Sequence, residues 1–366
     1  MKIINIKQLT ILLTLILLPF SKVVANSQQH FEKANTLTME GKWQEAIDSY
    51  DLAIKYKPDL AEAYHNKGTA LYELGKWQEA IDSFDLAIKH KPDFANAYNN
   101  KGTALGKLGK LQDAIDSFDL AIKHKPDLAD AYYNKGIVLG KLGKLQEEIV
   151  AYDLAIKHKP DFANAYYNKG IALKELGKLQ EAIIAYDLAI KHKPDLADAY
   201  NNKGTALGKL GKLQDAIDSF DLAIKHKPDL ADAYYNKGVV LGKLGKLQEE
   251  IVAYDLAIKH KPDFANAYYN KGIALKELGK LQEAIIAYDL AIKHKPDLAD
   301  AYNNKGTALG KLGKLQDAID SFDLAIKHKP DFADAYYNKG IALKQLGKYS
   351  QAKEAFSKAE QFEIKH

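Results

Sequence analysis

The sequence predicts an all-α fold made of tandem helix pairs, and three observations support this. Proline recurs every 34 residues at nine positions. Within each 34-residue repeat, apolar residues recur at spacings of three and four, as on a helix that is buried on one side. A glycine divides each repeat into two such stretches. A fixed period of this length indicates an array of packed repeats. The prolines are Pro58, Pro92, Pro126, Pro160, Pro194, Pro228, Pro262, Pro296 and Pro330.

Residues 163–196 illustrate the two helices that we expect in each repeat. Gly177 ends the first helix, and Pro194 cannot continue the second. The apolar stripe of the first helix consists of Ala165, Tyr166, Gly170, Leu173 and Leu176. That of the second consists of Leu179, Ala182, Ile183, Tyr186, Ala189 and Ile190.

Acidic residues near the helix ends are predicted to stabilise them. Asp195 follows the proline and is expected to cap the next helix, and Asp59 with Glu62 has the spacing of a capping box. Asp187 and Lys191 stand four residues apart in the second helix. This spacing predicts an ion pair worth a few tenths of a kcal/mol.

Before the first repeat, residues 1–25 have the pattern of a cleaved secretory signal peptide. Lys2 and Lys7 precede an apolar run at residues 9–20, and residues 23–25 stand where signal peptidase cleaves. A membrane span needs about 20 apolar residues, and this run is shorter. An uncleaved membrane anchor is the alternative. We expect an exported protein, periplasmic or secreted, with no membrane span in the mature chain.

Ten repeats account for residues 27–366. The first is degenerate, with His30 and Ala34 in place of the aromatic residue and the glycine of later repeats, which suits an end unit. In the tenth, Lys353 and Lys358 stand where other repeats are apolar, which also suits an end. The predicted boundaries are 27–60, 61–94, 95–128, 129–162, 163–196, 197–230, 231–264, 265–298, 299–332 and 333–366.

Residues 95–196 and 197–298 are two nearly identical blocks of three repeats. They differ only where Asn96 becomes Asp198 and Ile137 becomes Val239. Such a duplication presents the same surface twice. It argues against the single asymmetric constellation of side chains that a catalytic site requires.

Charge and composition exclude several functions. The chain has 52 Lys and Arg against 48 Asp and Glu, a net charge of +4, which indicates no strong polyelectrolyte partner. Every one of these cations is lysine, so the planar donor that reads phosphate and guanine is absent and we expect no nucleic acid binding. The absence of cysteine excludes disulfides and thiol chemistry. The frequent Lys, Asn, Ile and Tyr suit an AT-rich, bacterial genome.

Eight histidines recur at one place in the second helix, from His90 to His328, and raise the question of a metal site. Equivalent positions on stacked helix pairs lie about 10 Å apart. Two imidazoles that share a zinc each lie about 2 Å from it. We therefore interpret these histidines as helix-end residues, and we expect no metal, no cofactor, no catalytic residue and no enzymatic activity.

These features make the chain resemble the tetratricopeptide repeat family. The second repeat carries the family's residues at places 4, 8, 11, 20, 24, 27 and 32, counted from its first residue: Tyr64, Gly68, Leu71, Ala80, Phe84, Ala87 and Pro92. The resemblance implies a right-handed superhelical α-solenoid of tandem antiparallel helix pairs. Lys67, at place 7, departs from the family's usual leucine. Its stem is expected to lie along apolar surface with the ammonium group in water.

The resemblance also implies a concave groove, lined by places 2, 5, 6, 9, 12 and 13 of the first helices. Place 6 is asparagine in nine repeats, and a carboxamide both donates and accepts hydrogen bonds, which suits the backbone of an extended peptide. Alternatively, the asparagines serve only the fold. The implied peptide-binding residues are Asn66, Asn100, Asn134, Asn168, Asn202, Asn236, Asn270, Asn304 and Asn338, with Tyr133, Tyr167, Tyr235, Tyr269 and Tyr337 beside them.

Two functions are compatible with such an array. The first is a non-enzymatic protein–protein interaction scaffold that binds a protein or an extended peptide in the groove. The second is a structural or self-associating spacer of the cell envelope, without a saturable ligand. The carboxylate clamp of chaperone-binding members is not expected, because Asn99 and Thr103 stand where those proteins carry lysine and asparagine.

The first testable prediction concerns export. The mature chain is expected to begin at or near Asn26, because the apolar run at residues 9–20 ends shortly before small residues. Intact-mass measurement of the native protein checks this. Retention of residues 1–25 in the native protein would instead favour a membrane anchor.

Overall fold

The computed structural model describes the backbone of residues 6–363 and the side chains of residues 23–362. In this part of the chain there are 20 helices and no strands, which confirms the predicted all-α class. The chain divides into two compact bodies, Met1–Lys178 and Leu179–His366. We call them the N-terminal body and the C-terminal body.

Two helices occupy each repeat, joined by short loops. The N-terminal body contains α1 Ile6–Met39, α2 Trp43–Tyr56, α3 Ala61–Glu73, α4 Trp77–His90, α5 Ala95–Lys107, α6 Leu111–His124, α7 Ala129–Lys141, α8 Leu145–His158 and α9 Ala163–Glu175. The C-terminal body contains α10 Leu179–His192, α11 Ala197–Lys209, α12 Leu213–His226, α13 Ala231–Lys243, α14 Leu247–His260, α15 Ala265–Glu277, α16 Leu281–His294, α17 Ala299–Lys311, α18 Leu315–His328, α19 Ala333–Gln345 and α20 Tyr349–Glu363. Within each body a helix packs on those before and after it, as expected for tandem antiparallel pairs.

Helix α1 joins the predicted signal peptide to the first repeat without a break. The apolar run falls outside the described side chains, so cleavage after Ala25 stays a prediction. Ser27 is buried, and its Oγ donates a hydrogen bond of 2.9 Å to the carbonyl oxygen of Ala53. Among the described residues, no helix has both the length and the apolar character that a membrane crossing requires.

The predicted glycine stop is confirmed. Gly75 follows α3 with φ at +75°, a left-handed conformation that costs glycine little. The N–H of Lys76 then donates to the carbonyl oxygen of Leu71 at 3.0 Å, the long bond that closes a helix end of the Schellman type. This closure turns the chain directly into α4.

The prediction that the aspartate after each proline caps the next helix is wrong. Leu60 occupies the cap position of α3, and no side chain makes a capping hydrogen bond there. Asp59 lies one residue too early, and it contributes its carbonyl oxygen to the N–H of Ala61 at 2.9 Å instead. Backbone groups thus make the hydrogen bonds of this turn, while Leu60 packs against the core.

At the glycine of place 8 the first helix of a pair has no room for a side chain. A Cβ atom on Gly68 would lie 2.6 Å from Cε1 of Phe84, so the aromatic ring of α4 occupies the space that a side chain would take. Ala80 and Ala87 beside this ring are fully buried. Small residues on both helices therefore allow the aromatic ring at place 24 to fill the interior of the pair.

Ion pairs link successive repeats. The Nζ of Lys203 lies 2.5 Å from Oδ1 of Asp187 in the preceding repeat, so the prediction that Asp187 pairs with Lys191 is wrong. The Lys203 side chain is about three-quarters buried, as expected of the place-7 lysine stem, and its ammonium group is paired with a half-exposed carboxylate, where water alone was expected. Each such pair is worth roughly 0–1 kcal/mol. Equivalent pairs join Lys67, Lys101, Lys135, Lys169, Lys237, Lys271, Lys305 and Lys339 to Asp51, Asp85, Asp119, Asp153, Asp221, Asp255, Asp289 and Asp323 respectively.

Two buried glutamates stand where the family has alanine at place 20. Glu148 fills the space over Gly140, where a Cβ atom would lie 2.8 Å from the carboxyl group. The hydroxyl group of Tyr152 donates to its Oε1 at 3.1 Å. Burial raises the pKa of Glu148, partly offset by this hydrogen bond, and Glu175 raises it further. Glu250 has the same environment in the C-terminal body.

The second prediction follows from these raised pKa values. The folded state binds the protons of Glu148 and Glu250 more tightly than the unfolded state does. Their contribution to stability is therefore fully present below their ordinary pKa of about 4.5 and is lost as the pH rises through the raised pKa. We expect E148Q/E250Q to reduce this pH-dependent loss, measured as urea unfolding midpoints from pH 4 to 8.

The exposed neighbours Glu147 and Glu249 provide the control. E147Q/E249Q is expected to keep the pH dependence of the parent chain. Identical pH profiles for the parent and E148Q/E250Q would show that both buried carboxyl groups titrate as they do in the unfolded chain.

Candidate functional site

The predicted site residues lie on the first helix of each pair. We call the side chains at places 5, 6, 9, 12 and 13 of these helices the first-helix face. All nine asparagines of place 6 are half-buried there. Each belongs to a helix whose opposite side packs on its own second helix, so its position follows from the packing of the pair.

Eight of the nine asparagines donate a hydrogen bond to the preceding repeat. Nδ2 of Asn202 donates to the carbonyl oxygen of Asp198 in its own helix at 3.1 Å. The Nδ2 of Asn134 donates to Oδ1 of Asn99 at 3.1 Å, and the Nδ2 of Asn168 donates to the Tyr133 hydroxyl group at 3.1 Å. Each acceptor is the place-5 residue of the preceding repeat. The same bond joins Asn100 to His65, Asn236 to Asn201, Asn270 to Tyr235, Asn304 to Tyr269, and Asn338 to Asn303. One amide hydrogen is thereby used within the fold.

In the N-terminal body these bonds form one continuous chain with a single direction. Asn99 donates to Asn100 at 3.2 Å, and Asn100 donates to Nε2 of His65 at 3.0 Å. His65 Nδ1 lies 3.1 Å from Oδ1 of Asn66, whose Nδ2 donates to Asn35 at 3.0 Å. The arrangement requires a neutral His65 with its proton on Nδ1. Burial lowers the pKa of His65 and favours this form.

The place-5 tyrosines lie deeper than their predicted role in side-chain contacts suggested. The Tyr133 ring is 4.7 Å from that of Phe162 and 5.9 Å from that of Tyr152, between centroids. Burial raises the pKa of Tyr133, as it does for Tyr235 and Tyr269. Tyr167 is half-buried. Tyr337 is 53% exposed, and its ring centroid lies 5.6 Å from that of Phe356.

The histidine ladder is an aromatic feature of the fold. His90 stacks on the place-4 ring of its own repeat, Tyr64, with centroids 5.4 Å apart. In the first repeat the two residue types are exchanged. His30 at place 4 stacks on Tyr56 at place 30, with ring centroids 5.6 Å apart. Within residues 23–362 no three metal-ligating side chains converge. Sequence reasoning missed this stack, although the exchange of His30 and Tyr56 is a visible signal for it.

Sequence reasoning also missed that the space beside place 12 of the first-helix face differs from repeat to repeat. Glycine at place 12 is covered by Glu148 in the fourth repeat, whereas it borders a cavity of about 220 Å³ at Gly310 in the ninth. The sequence does show that place 12 differs between repeats, since it carries glycine, lysine or tyrosine, as in Gly310, Lys276 and Tyr72.

Solved structures offer similar repeat proteins. YrrB, described as a TPR protein with an unusual peptide-binding site, is 25% identical, covers 52% of this chain and 98% of its own, and superposes with a TM-score of 0.47. A crystal structure of MamA is 28% identical, with 45% and 96% coverage and a TM-score of 0.42. MamA from Desulfovibrio magneticus RS-1 is 22% identical, with 46% and 96% coverage and a TM-score of 0.44. No curated protein matches the chain.

Family comparison matches the repeats one after another. The description "TPR repeat" matches residues 34–75 and 68–109. The description "Tetratricopeptide repeat" matches 95–128, 129–162, 163–196, 197–230, 231–264, 265–298, 299–332 and 333–363. Arrays of this kind typically act as non-enzymatic scaffolds for protein interaction. Helix pairs and repeat matches agree, and the chain belongs to the tetratricopeptide repeat family.

Proposed function

We propose that this chain is a protein–protein interaction scaffold that binds an extended segment of a partner protein along its first-helix face. One observation carries the proposal. The place-6 asparagines recur in nine successive repeats, and at Asn134, Asn236 and Asn338 the bond from Nδ2 to the preceding repeat holds the carboxamide in one orientation. A fixed row of carboxamides suits a peptide backbone, which repeats its own donors and acceptors regularly.

The orientation of these amides lowers the cost of binding. Asn236 donates through Nδ2 to Asn201, so its Oδ1 lies on the opposite branch of the carboxamide. Oδ1 of Asn236 and Oδ1 of Asn338 accept no hydrogen bond from the described residues. An acceptor that is already fixed in place loses little conformational entropy when a ligand arrives. At Asn236 and Asn338 the fold and the partner thus use different atoms of the same side chain. At Asn66, Asn100 and Asn304 the fold already uses Oδ1.

We further propose that the scaffold acts outside the cytoplasm, as a periplasmic or secreted protein. The pattern of residues 1–25 supports this, since a charged start precedes a short apolar run and small residues. Partners would then be proteins of the same compartment. No metal, cofactor or nucleic acid is needed for this function.

The third prediction tests the asparagines against a matched control. N134A/N236A/N338A removes three ladder amides, whereas N99A/N201A/N303A removes the acceptors of the same three hydrogen bonds and leaves the ladder in place. Each lost bond costs about 1 kcal/mol, so both variants should lower the unfolding midpoint similarly. The first should weaken binding by about fivefold per lost contact. The second should weaken it less, because it keeps each ladder amide and removes only the bond that orients it.

Affinity is measured with synthetic decapeptides that the unmodified chain enriches from a random phage-displayed pool. Equal losses of affinity in both variants would make the asparagines purely structural. Unchanged affinity in both would place the binding surface elsewhere. Failure of the unmodified chain to enrich any peptide would contradict the scaffold function proposed here.

Exposed apolar side chains on the second helices favour a second candidate, self-association. Val252 and Ile286, at place 22 of α14 and α16, are 53% and 54% exposed. The same place carries Asp218 in α12 and Asp320 in α18. Burial of an exposed Val or Ile side chain contributes about 1.5–3 kcal/mol. A second copy of the chain is one surface that provides such burial.

The fourth prediction uses those aspartates as the template. If the chain self-associates through place 22, its sedimentation coefficient should rise with concentration. V150D/I184D/V252D/I286D should abolish the rise, because Val150 and Ile184 stand at the same place and are 50% and 54% exposed. The helix content should not change, because Asp218 and Asp320 already occupy equivalent positions. Concentration-independent sedimentation of the unmodified chain would remove this candidate.

A further inference from the structure

A cavity of about 220 Å³ opens on the first-helix face of the C-terminal body, between α17, α18 and α19. Gly310 and Thr307 of α17 form one side, and Asn338 and Ala342 of α19 form the other. Phe322 of α18 contributes its ring. Small-molecule pockets measure roughly 300–1,000 Å³, so this cavity has the size for a single side chain.

The cavity is open because Ala342 has two methyl groups fewer than Val240, the residue at the same place of the seventh repeat. A Cβ atom on Gly310 would meet nothing closer than Cβ of Ala318, at 3.9 Å. At the equivalent Gly208, a Cβ atom would meet Cγ2 of Val240 at 3.2 Å. Val240 is the place-10 residue of the seventh repeat, and in the tenth repeat that place is Ala342. The alanine leaves unfilled the space that valine occupies.

The lining is apolar at the base and at one edge of the rim. Phe322 and Ala342 are buried, and Leu315 completes the apolar wall. Ile341 at the rim is 38% exposed. An aliphatic side chain that enters here removes apolar surface on both sides from water, which is the main favourable contribution to such contacts.

The other edge of the rim is cationic. Lys311 lines the cavity at place 13 of α17, and Gln345 adds an amide. Lys276, in the preceding repeat, is half-buried, and its Nζ donates to Oδ1 of Asn304 at 2.5 Å. Burial and then the charge of Lys311 lower the pKa of Lys276. Glu277 partly offsets this decrease. Within the described residues Lys276 and Lys311 form no ion pair, and their two charges outnumber that of Glu277, so this edge attracts an anionic group.

We propose that this cavity is a specificity pocket that takes an aliphatic side chain of an extended partner segment, with an acidic residue next to it at Lys311. The pocket rests on the proposed scaffold function, because it reads the side chains of a segment whose backbone lies along the first-helix face. The residues that set this specificity are Gly310, Ala342 and Lys311.

The fifth prediction uses the chain's own valine as the control. A342V fills the pocket with the residue that the fourth and seventh repeats already carry at this place, so the fold should be unchanged by circular dichroism. V240A opens the equivalent space at Gly208. The probe is an acetylated, fluorescent pentapeptide of glycine, aspartate, leucine, aspartate and glycine. Matched probes carry alanine for leucine, or asparagine for both aspartates.

We expect A342V to weaken binding of the leucine probe at least tenfold and to leave the alanine probe unaffected. V240A should raise the stoichiometry above that of the unmodified chain. K311Q should remove the preference for aspartate over asparagine while the preference for leucine over alanine remains. Each result is measured by fluorescence anisotropy with the full chain.

Different results would contradict the pocket and the scaffold function. If the unmodified chain binds decapeptides from the random pool but A342V leaves their affinity and the leucine probe unchanged, the pocket is overturned and the scaffold function stands. Equal affinity of the unmodified chain for the leucine and alanine probes overturns the pocket as well. If no peptide of either kind binds, the scaffold function itself is contradicted.

Discussion

The close approach of the two helices in nine of the ten pairs, which the glycine at place 8 permits, is the constraint on which the rest of the structure depends. At Gly136 a Cβ atom would lie 2.5 Å from Cε1 of Tyr152, much as at Gly68 with Phe84. Because the ring fills the interior of its own pair, the remaining side of the first helix is left for the neighbouring repeat and for solvent. The first-helix face is a consequence of this packing.

Structural and binding roles of the asparagines are compatible because a carboxamide has several hydrogen-bonding positions. Asn236 uses one N–H for Asn201 in the preceding repeat and keeps its oxygen and second hydrogen. The bond between repeats also aligns successive carboxamides in the same sense. His65 extends this order in the N-terminal body, since it accepts from one asparagine and donates to the next when it is neutral.

Small changes at three places produce the local differences along a nearly uniform array. Places 10, 12 and 20 meet where successive first helices cross the start of a second helix. Glu148 there covers Gly140, and Val240 approaches Gly208. Neither a glutamate at place 20 nor a valine at place 10 is present beside Gly310. Because interiors are close-packed, the loss of two methyl groups leaves a cavity instead of being absorbed by its surroundings.

The sequence by itself determined the features that depend on local rules. The period, the two helices per repeat and the turn at Gly177 follow from proline, apolar spacing and the left-handed backbone that glycine accepts. Tertiary structure decided what depends on neighbours in space. Asp187 pairs with Lys203 of the next repeat because the two repeats stack, and helix spacing alone suggested Lys191. The direction of the Asn236 amide and the cavity at Gly310 were likewise decided by adjoining helices. Such contacts join residues 35 positions apart at Asn236 and Asn201, and 32 apart at Gly208 and Val240.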